Sequence, residues 1–273
     1  LSIIKEALTL VRRNYDFYLD LNSISLKDDK TFLLYQKGET TATFQFESEG
    51  MKQWLKKLCP NIISDLIAMN ALYRPGPMQF IPDFVNSKIG KKKPDYPHPI
   101  LESVLESTYG IMIYQEQIMK IAQLVAGYNL GEADLLRRVM SKKNIQTMNY
   151  QSRVFSIRAL QTSKVSKSEA MVIFYAMARF AEYGFPLAHS TVYTMIAYQT
   201  AYLKANYPAE YMASVLTNNL NDIDRISFFV NECKLQNVGI LGPSVNESNF
   251  AFSANTNKQI RFGLGGIKGV GIL

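Results

Sequence analysis

The sequence predicts a mainly α-helical fold that ends in a small β-containing segment. Two observations carry this. Apolar residues recur at helical spacing through most of the chain, punctuated by Gly and Pro. Beyond about residue 236 short β-prone runs, separated by Gly, Asn and Ser, replace that period. With 273 residues, 47% of them apolar, and 16 Tyr and 15 Phe, the chain has ample material for a core and is not disordered. The expected organisation is a helical core over residues 1–220 and a small α/β tail over 221–273.

The elements follow in order. Ile3, Ile4, Ala7, Leu8 and Val11 predict a helix to about Asn14, with no cap before it. The chain also closes abruptly at Gly-Val-Gly-Ile-Leu, and both ends are expected to be cuts in something longer. Asp28 to Lys37 reads as a second helix, with Asp28 and Asp29 at its dipole-favoured start. Thr43 to Glu47 alternates like a short strand. Met51, Trp54, Leu55 and Leu58 mark a helix stopped by Pro60, and Ile62 to Leu72 continues the helical trend until Arg74-Pro-Gly-Pro77 turns the chain. A long mobile loop is expected next, carrying Lys91 to Lys93 and four prolines. From Ile100 helices resume. Tyr114 to Ala126 breaks at Gly127, and Asn129 with Glu132 has the form of a capping box. Leu135, Leu136, Val139 and Met140 form the expected buried stripe of the helix that follows, with Arg138 and Lys142 on its open flank. Ser168 to Phe180 is another apolar helix, interrupted at Gly184-Phe-Pro186. Ser190 or Thr191 is expected to cap a helix from about Val192 to Ala205. Pro208 opens one running to Thr217, and a last helix spans about Ile223 to Gln236. Runs at Val238 to Leu241, Phe250 to Ser253 and Ile260 to Leu264 are the β candidates.

From Leu135 to Ser168 the chain carries Arg137, Arg138, Lys142, Lys143, Arg153, Arg158, Lys164 and Lys167 without one carboxylate. The whole chain has a formal charge of +7, less than this stretch alone, so the basic character is local. Such a field attracts polyanions and holds phosphate oxygens; the competing reading is a solvated helical face. Arg74, beside a rigid turn, is either a cation for an anionic ligand or a partner for loop carbonyls. His189 opens a helix with Tyr193 one turn along on the same side, which suits either a ligand contact or a local cap. His98 reads as an ordinary loop residue, and the Lys91 to Lys93 run as a solvated charge run, with contacts to a nucleic-acid backbone as the alternative.

No hydrolase elbow, phosphate-cradling loop, zinc spacing or dinucleotide fingerprint is present. No apolar run approaches the length of a membrane span. Cys59 and Cys233 match no metal or redox spacing and are expected to be packed thiols in a reducing cytoplasm.

Four motifs in this order and spacing resemble the C-family bacterial replicative polymerases, the DNA polymerase III α subunits. They are Leu72-Tyr-Arg74-Pro-Gly-Pro77, Tyr109-Gly-Ile-Met-Ile-Tyr114-Gln-Glu-Gln117, Gly131-Glu-Ala-Asp-Leu-Leu-Arg137-Arg138-Val-Met-Ser-Lys142-Lys143, and Phe180-Ala-Glu-Tyr-Gly-Phe185 running into Ala188-His189-Ser190. Tyr198 to Met212 extends the match, which covers essentially the whole chain. The resemblance implies a fingers domain that closes over an incoming deoxynucleoside triphosphate and lines the path of template and nascent duplex. It implies nucleotide binding by Arg74, Arg137, Arg138, Lys142, Lys143 and His189. Gly266-Ile-Lys268-Gly269-Val-Gly271 resembles the opening of the family's helix-hairpin-helix element, so Lys268, Gly269 and Gly271 are implied DNA contacts.

The family's catalytic aspartates, which hold two Mg²⁺ ions, lie outside this stretch. The resemblance thus implies a parent enzyme that is a Mg²⁺-dependent DNA-directed DNA polymerase, and this chain alone is expected to be inactive and to bind no metal. Primer-template DNA and dNTP are the implied partners, with a sliding clamp and other replisome subunits in the parent and no membrane. The family commonly has Asn-Lys-Ser-His where this chain reads Pro186-Leu187-Ala188-His189, so a lysine is missing beside the histidine. A non-enzymatic helical module that binds nucleic acid through the basic stretch is the alternative, and a helical interaction protein with a solvated basic face is the plainest one.

Overall fold

The computed structural model describes residues 1–142 and 144–271, so Lys143 lies outside the described residues. Thirteen α-helices and three two-residue strands are present among them, the mainly α architecture with a small β segment that the periodicity predicts. The helices are α1 (Ser2–Tyr15), α2 (Asp29–Lys37), α3 (Glu49–Leu58), α4 (Ile63–Leu72), α5 (Ile81–Lys88), α6 (Glu102–Leu105), α7 (Gln115–Ala126), α8 (Leu130–Lys142), α9 (Ile145–Thr162), α10 (Lys167–Ala181), α11 (Leu187–Asn206), α12 (Pro208–Thr217) and α13 (Ile223–Leu235). The strands are β1 (Ile240–Leu241), β2 (Ser253–Ala254) and β3 (Ile260–Arg261). The chain forms two compact units, one of residues 63–194 and one of residues 1–62 with those from 195 onward.

The discontinuous unit is built on α1, α12 and α13. Ala7 and Leu10 of α1, Tyr211, Met212, Val215 and Leu216 of α12, and Phe229 and Cys233 of α13 share one core with Phe252 and Ile260 of the strand region. β3 is central, parallel to β1 and antiparallel to β2. The stretch Thr43 to Glu47, expected as a strand, is instead a tight turn. Ala42 and Gln45 take left-handed φ of 62° and 66°, and the Thr43 amide bonds the Thr40 carbonyl at 3.0 Å. That turn is fixed from α11 and α12: Tyr211 Oη donates to the Ala42 carbonyl at 2.6 Å, and Thr200 Oγ1 accepts from the Phe44 amide at 3.1 Å.

Lys204 is the one charged residue among the largest fully buried side chains of this unit. Its ammonium donates to the carbonyls of Glu39 and Thr41, both at 2.7 Å, and to Glu232 Oε1 at 2.9 Å. Three acceptors satisfy all three N–H bonds, which is what makes burial of the charge tolerable. Burial pushes its pKa down, and the Glu232 carboxylate opposes that shift. Of the two cysteines, Cys233 is buried, which raises its thiol to about 12, whereas Cys59 is exposed at the left-handed cap of α3, contrary to the expected packed thiol.

The continuous unit packs α7, α8, α9 and α10 around Ile118, Ile121, Val125, Leu136, Met140, Phe155, Ile173, Phe174 and Met177. Capping sets the helix limits. Gly127 ends α7 at φ 63°, and the Asn129–Glu132 box closes as expected, with amide-to-side-chain bonds of 2.8 and 2.9 Å. Leu135 departs from expectation: α8 buries Ala133, Leu136 and Met140, a phase that turns Leu135 out to 64% exposure. The expected long loop after Pro77 is also partly helical. Residues Pro77–Phe80 form a 3₁₀ turn and α5 follows, because Pro82 lies in its first turn, where no N–H is needed, and Phe84 and Val85 bury. His98 accepts the Ile100 amide at 3.2 Å and caps a short 3₁₀ turn, and Lys92 pairs with Asp83 at 2.8 Å.

Removing the Lys204 ammonium while keeping its bulk leaves Glu232 and two carbonyls facing an apolar side chain. Lys204→Met is expected to lower stability by roughly 3 to 5 kcal/mol, the cost of stranding half of a buried pair. Urea denaturation of wild type and variant measures it.

Candidate nucleotide-binding site

The site residues are organised by the segment between α10 and α11, residues 182–186. Its backbone is paired at almost every position. Phe185 forms a parallel bridge with Tyr114: its amide donates to the Ile113 carbonyl and its carbonyl accepts from the Gln115 amide, both at 3.0 Å. Gln115 Nε2 donates to the Gly184 carbonyl at 3.1 Å. Arg74 Nη2 donates to the Tyr183 carbonyl at 3.0 Å, and Ser141 Oγ on α8 donates to the Ala181 carbonyl at 3.0 Å. Gly76 allows this approach. At φ 95° an added Cβ would stand 2.5 Å from the Tyr183 ring.

The same contacts set where α11 begins. The Leu187 amide donates to both Glu116 oxygens, at 3.1 and 2.9 Å, so a carboxylate from 71 residues away caps the helix. The helix therefore starts five residues before the expected Val192, and Ser190, a candidate cap, instead donates to the Ile67 carbonyl at 2.7 Å. His189 thereby falls in the first turn of α11 and is exposed.

Arg74 and His189 are brought together through Phe185. The Arg74 guanidinium lies 4.2 Å from the centre of the Phe185 ring. Phe185 meets the His189 imidazole edge-on at 5.2 Å, and the imidazole stacks on Tyr193 at 4.3 Å with 23° between planes. Arg74 also donates Nε to the Ala71 carbonyl at 2.8 Å, so two of its donors serve the loop. Burial pushes its pKa down, although a guanidinium stays charged at any physiological pH.

Arg137 and Arg138 share one carboxylate. Arg137 donates Nε and Nη2 to Asp134 Oδ1 at 3.1 and 2.7 Å, and Arg138 Nη2 lies 2.7 Å from Asp134 Oδ2. Bonds from Arg137 first and Arg138 second hold the Asp134 carboxyl below its usual range. The fork is therefore intact at neutral pH and is lost as pH falls through that lowered value. Arg137 is 16% exposed and Arg138 66%, so Arg138 is the arm that reaches solvent. Lys142, one turn on, is exposed. The linear count of eight cations thus overstates the field. Asp134 and Glu132, just before that stretch, fold back on it, and Arg158 is committed to the α7–α8 turn. It bonds the Ala126 and Gly127 carbonyls at 3.0 and 2.8 Å and Glu132 at 3.1 Å, and it covers the Tyr128 ring at 4.0 Å.

A cavity of about 690 Å³ is bordered by Glu116 and Leu187 themselves, with Ile67, Val104 and Leu124 among its other lining residues. None of Arg74, Arg137, Arg138 or Lys142 lines it. Among the described residues no three His, Cys, Asp or Glu side chains are grouped so as to hold a metal ion. No helix among the described residues is long and apolar enough to cross a membrane. In the other unit, Lys268, Gly269 and Gly271 are exposed. Gly269 has φ 89°, and no atom lies within 4 Å of the position its Cβ would take.

Residues 1–178 match the bacterial DNA polymerase III alpha subunit finger domain, which defines the class as a polymerase fingers module. Residues 237–272 match a helix-hairpin-helix motif. A DNA polymerase III subunit alpha of Borreliella burgdorferi is 46% identical over 272 residues, covering 99% of this chain and 23% of the relative. Those of Bacillus subtilis and Pseudomonas aeruginosa are each 44% identical, covering 100% and 99% of this chain and 24% of the relatives. The chain belongs to the bacterial DNA polymerase III alpha subunit family, and it spans about a quarter of the length of these relatives.

Glu116→Ala removes the cap of α11 and leaves the Leu187 amide without its acceptor. The expected result is a loss of about 1 kcal/mol in stability, the usual value of an N-cap, together with faster hydrogen exchange at Leu187 to His189 than at the helix centre. Exchange mass spectrometry and thermal melting read the two effects.

Proposed function

We propose that this chain works as the fingers of a DNA-directed DNA polymerase, where it holds the triphosphate of the incoming dNTP and lines the path of template and nascent duplex. The observation that carries this is the arginine fork: two guanidiniums held by Asp134, with Lys142 one turn further along α8. A fork fixed by one carboxylate keeps a net positive charge and is already ordered before a ligand arrives. Preorganised donors of this kind stabilise the charge that develops on phosphoryl oxygens during nucleotidyl transfer. Arg138 is the leading phosphate contact, Arg137 sets its direction, and Lys142 and Lys143 add charge. Arg74, with two donors spent on carbonyls, contributes field and rigidity more than direct bonds.

His189 has a different part. Glu116 occupies the start of α11, so a phosphate placed there meets a carboxylate. His189 is accordingly read as a contact to the sugar side of the nucleotide. Leu187 supplies no charge where the family commonly has lysine, which agrees with that division.

The acids that hold Mg²⁺ in the parent enzyme belong to the rest of the polypeptide, as do contacts with a sliding clamp and other replisome subunits. Replication of a bacterial chromosome puts the parent in the cytoplasm. Lys268, Gly269 and Gly271 are proposed contacts to primer-template phosphates, in keeping with the helix-hairpin-helix match. A nucleic-acid-binding module without enzymatic function accounts for the basic stretch but not for the ordered fork and stacked histidine.

In the full-length polymerase, Arg138→Ala is expected to lower the single-turnover incorporation rate by roughly 10- to 100-fold, with primer-template affinity changed much less. An unchanged rate removes Arg138 from the role. The present chain alone, given Mg²⁺, primer-template and dNTPs, is expected to extend no primer in a gel assay. Metal-dependent extension contradicts the placing of the catalytic acids outside it.

A further inference from the structure

Histidine at an exposed helix start ordinarily samples several rotamers. His189 does not have that freedom. Tyr193 lies four residues on along α11, the spacing at which helical side chains meet, and its ring covers one face of the imidazole at 4.3 Å. Phe185 closes a second side, edge-on at 5.2 Å. The two walls are themselves fixed by different means. Tyr193 is carried by the helix, while Phe185 is held by the backbone bridge to Ile113 and Gln115 and by the Arg74 guanidinium on its ring. A ligand can meet the imidazole only from the remaining directions.

From this geometry we infer that Tyr193 is a positioning residue for the incoming nucleotide, acting by stacking on His189 and holding the imidazole against Phe185. The inference rests on the reading of His189 as a nucleotide contact. The working feature is the flat ring of Tyr193. A planar ring of equal size preserves the stack, whereas an aliphatic side chain of similar bulk frees the imidazole and leaves the ordering cost to nucleotide binding. The expected signature is a higher KM for dNTP with little change in kcat, because the orientation lost is needed for ground state and transition state alike.

The test uses the full-length polymerase with His189→Ala, Tyr193→Leu, Tyr193→Phe and the double variant His189→Ala/Tyr193→Leu, reading single-nucleotide incorporation against dNTP concentration and primer-template affinity by fluorescence anisotropy. Tyr193→Leu is expected to raise KM by roughly 3- to 10-fold, the scale of one lost aromatic stack, with kcat within about twofold and DNA affinity unchanged. Tyr193→Phe should restore KM to within about twofold of wild type, and the double variant should be no worse than His189→Ala alone. Should Tyr193→Leu fail to fold, Tyr193→His, which keeps a smaller flat ring, is expected to give a KM between those of Phe and wild-type-like values on one side and His189→Ala on the other. Three results overturn the inference: a Tyr193→Phe defect as large as that of the Leu variant, penalties that add in the double variant, or a normal KM for Tyr193→Leu while His189→Ala raises it. The last leaves the reading of His189 standing, whereas a normal KM for His189→Ala removes both.

Discussion

The site depends on the backbone pairing of the segment that joins α10 to α11. Between Ala181 and Leu187 the chain is held by Ser141 from α8, by Arg74 from the Pro-Gly-Pro turn, and by Ile113, Gln115 and Glu116 from the start of α7. Three of the four sequence motifs thus meet the fourth through hydrogen bonds to its main chain, each worth about 1 kcal/mol net but costly to leave unmade once the groups are screened from water. Release of this segment would uncap α11, free Phe185 and let His189 turn. Gly76 has its place for the same reason, since any side chain there would displace Tyr183 from the clasp.

The electrostatics follow from the fold more than from the count of charges. Eight cations in sequence become a smaller, directed field once Asp134 ties Arg137 to Arg138 and Glu132 draws Arg158 into a helix turn. An exposed ion pair adds little to stability, typically below about 1 kcal/mol, so the value of Asp134 lies in fixing direction. Arg138 is left pointing outward with part of its hydrogen-bonding fork committed and the rest available.

Local rules read much of this chain correctly. Asp28, the Asn129–Glu132 box, Gly127 and Pro208 mark helix ends where sequence chemistry places them, because capping acts within three or four residues. The start of α11 was not legible in that way: its cap, Glu116, comes from a distant motif and no residue near 187 signals it. The Thr43 to Glu47 alternation misled because Tyr211 and Thr200, far along the chain, impose a turn. Leu135 fits the apolar spacing, yet the phase of α8 turns it to solvent. The Asp134 fork, by contrast, follows from i, i+3 and i, i+4 spacing, since Asp134 stands just outside the basic stretch and within reach of both Arg137 and Arg138. The stack of His189 on Tyr193 was visible as a spacing, but the edge contact from Phe185 needed the fold.

In this account α8 supplies charge for the triphosphate and the start of α11 supplies a stacked imidazole for the sugar side, with the 181–187 clasp holding both in the unit of residues 63–194. The most direct measurement is a structure of the full-length polymerase bound to primer-template and a non-hydrolysable dNTP. The account predicts triphosphate oxygens within hydrogen-bond distance of Arg138 and Lys142, with His189 still stacked on Tyr193 beside the sugar. A triphosphate held by other residues, with the α8 fork facing solvent, would contradict it.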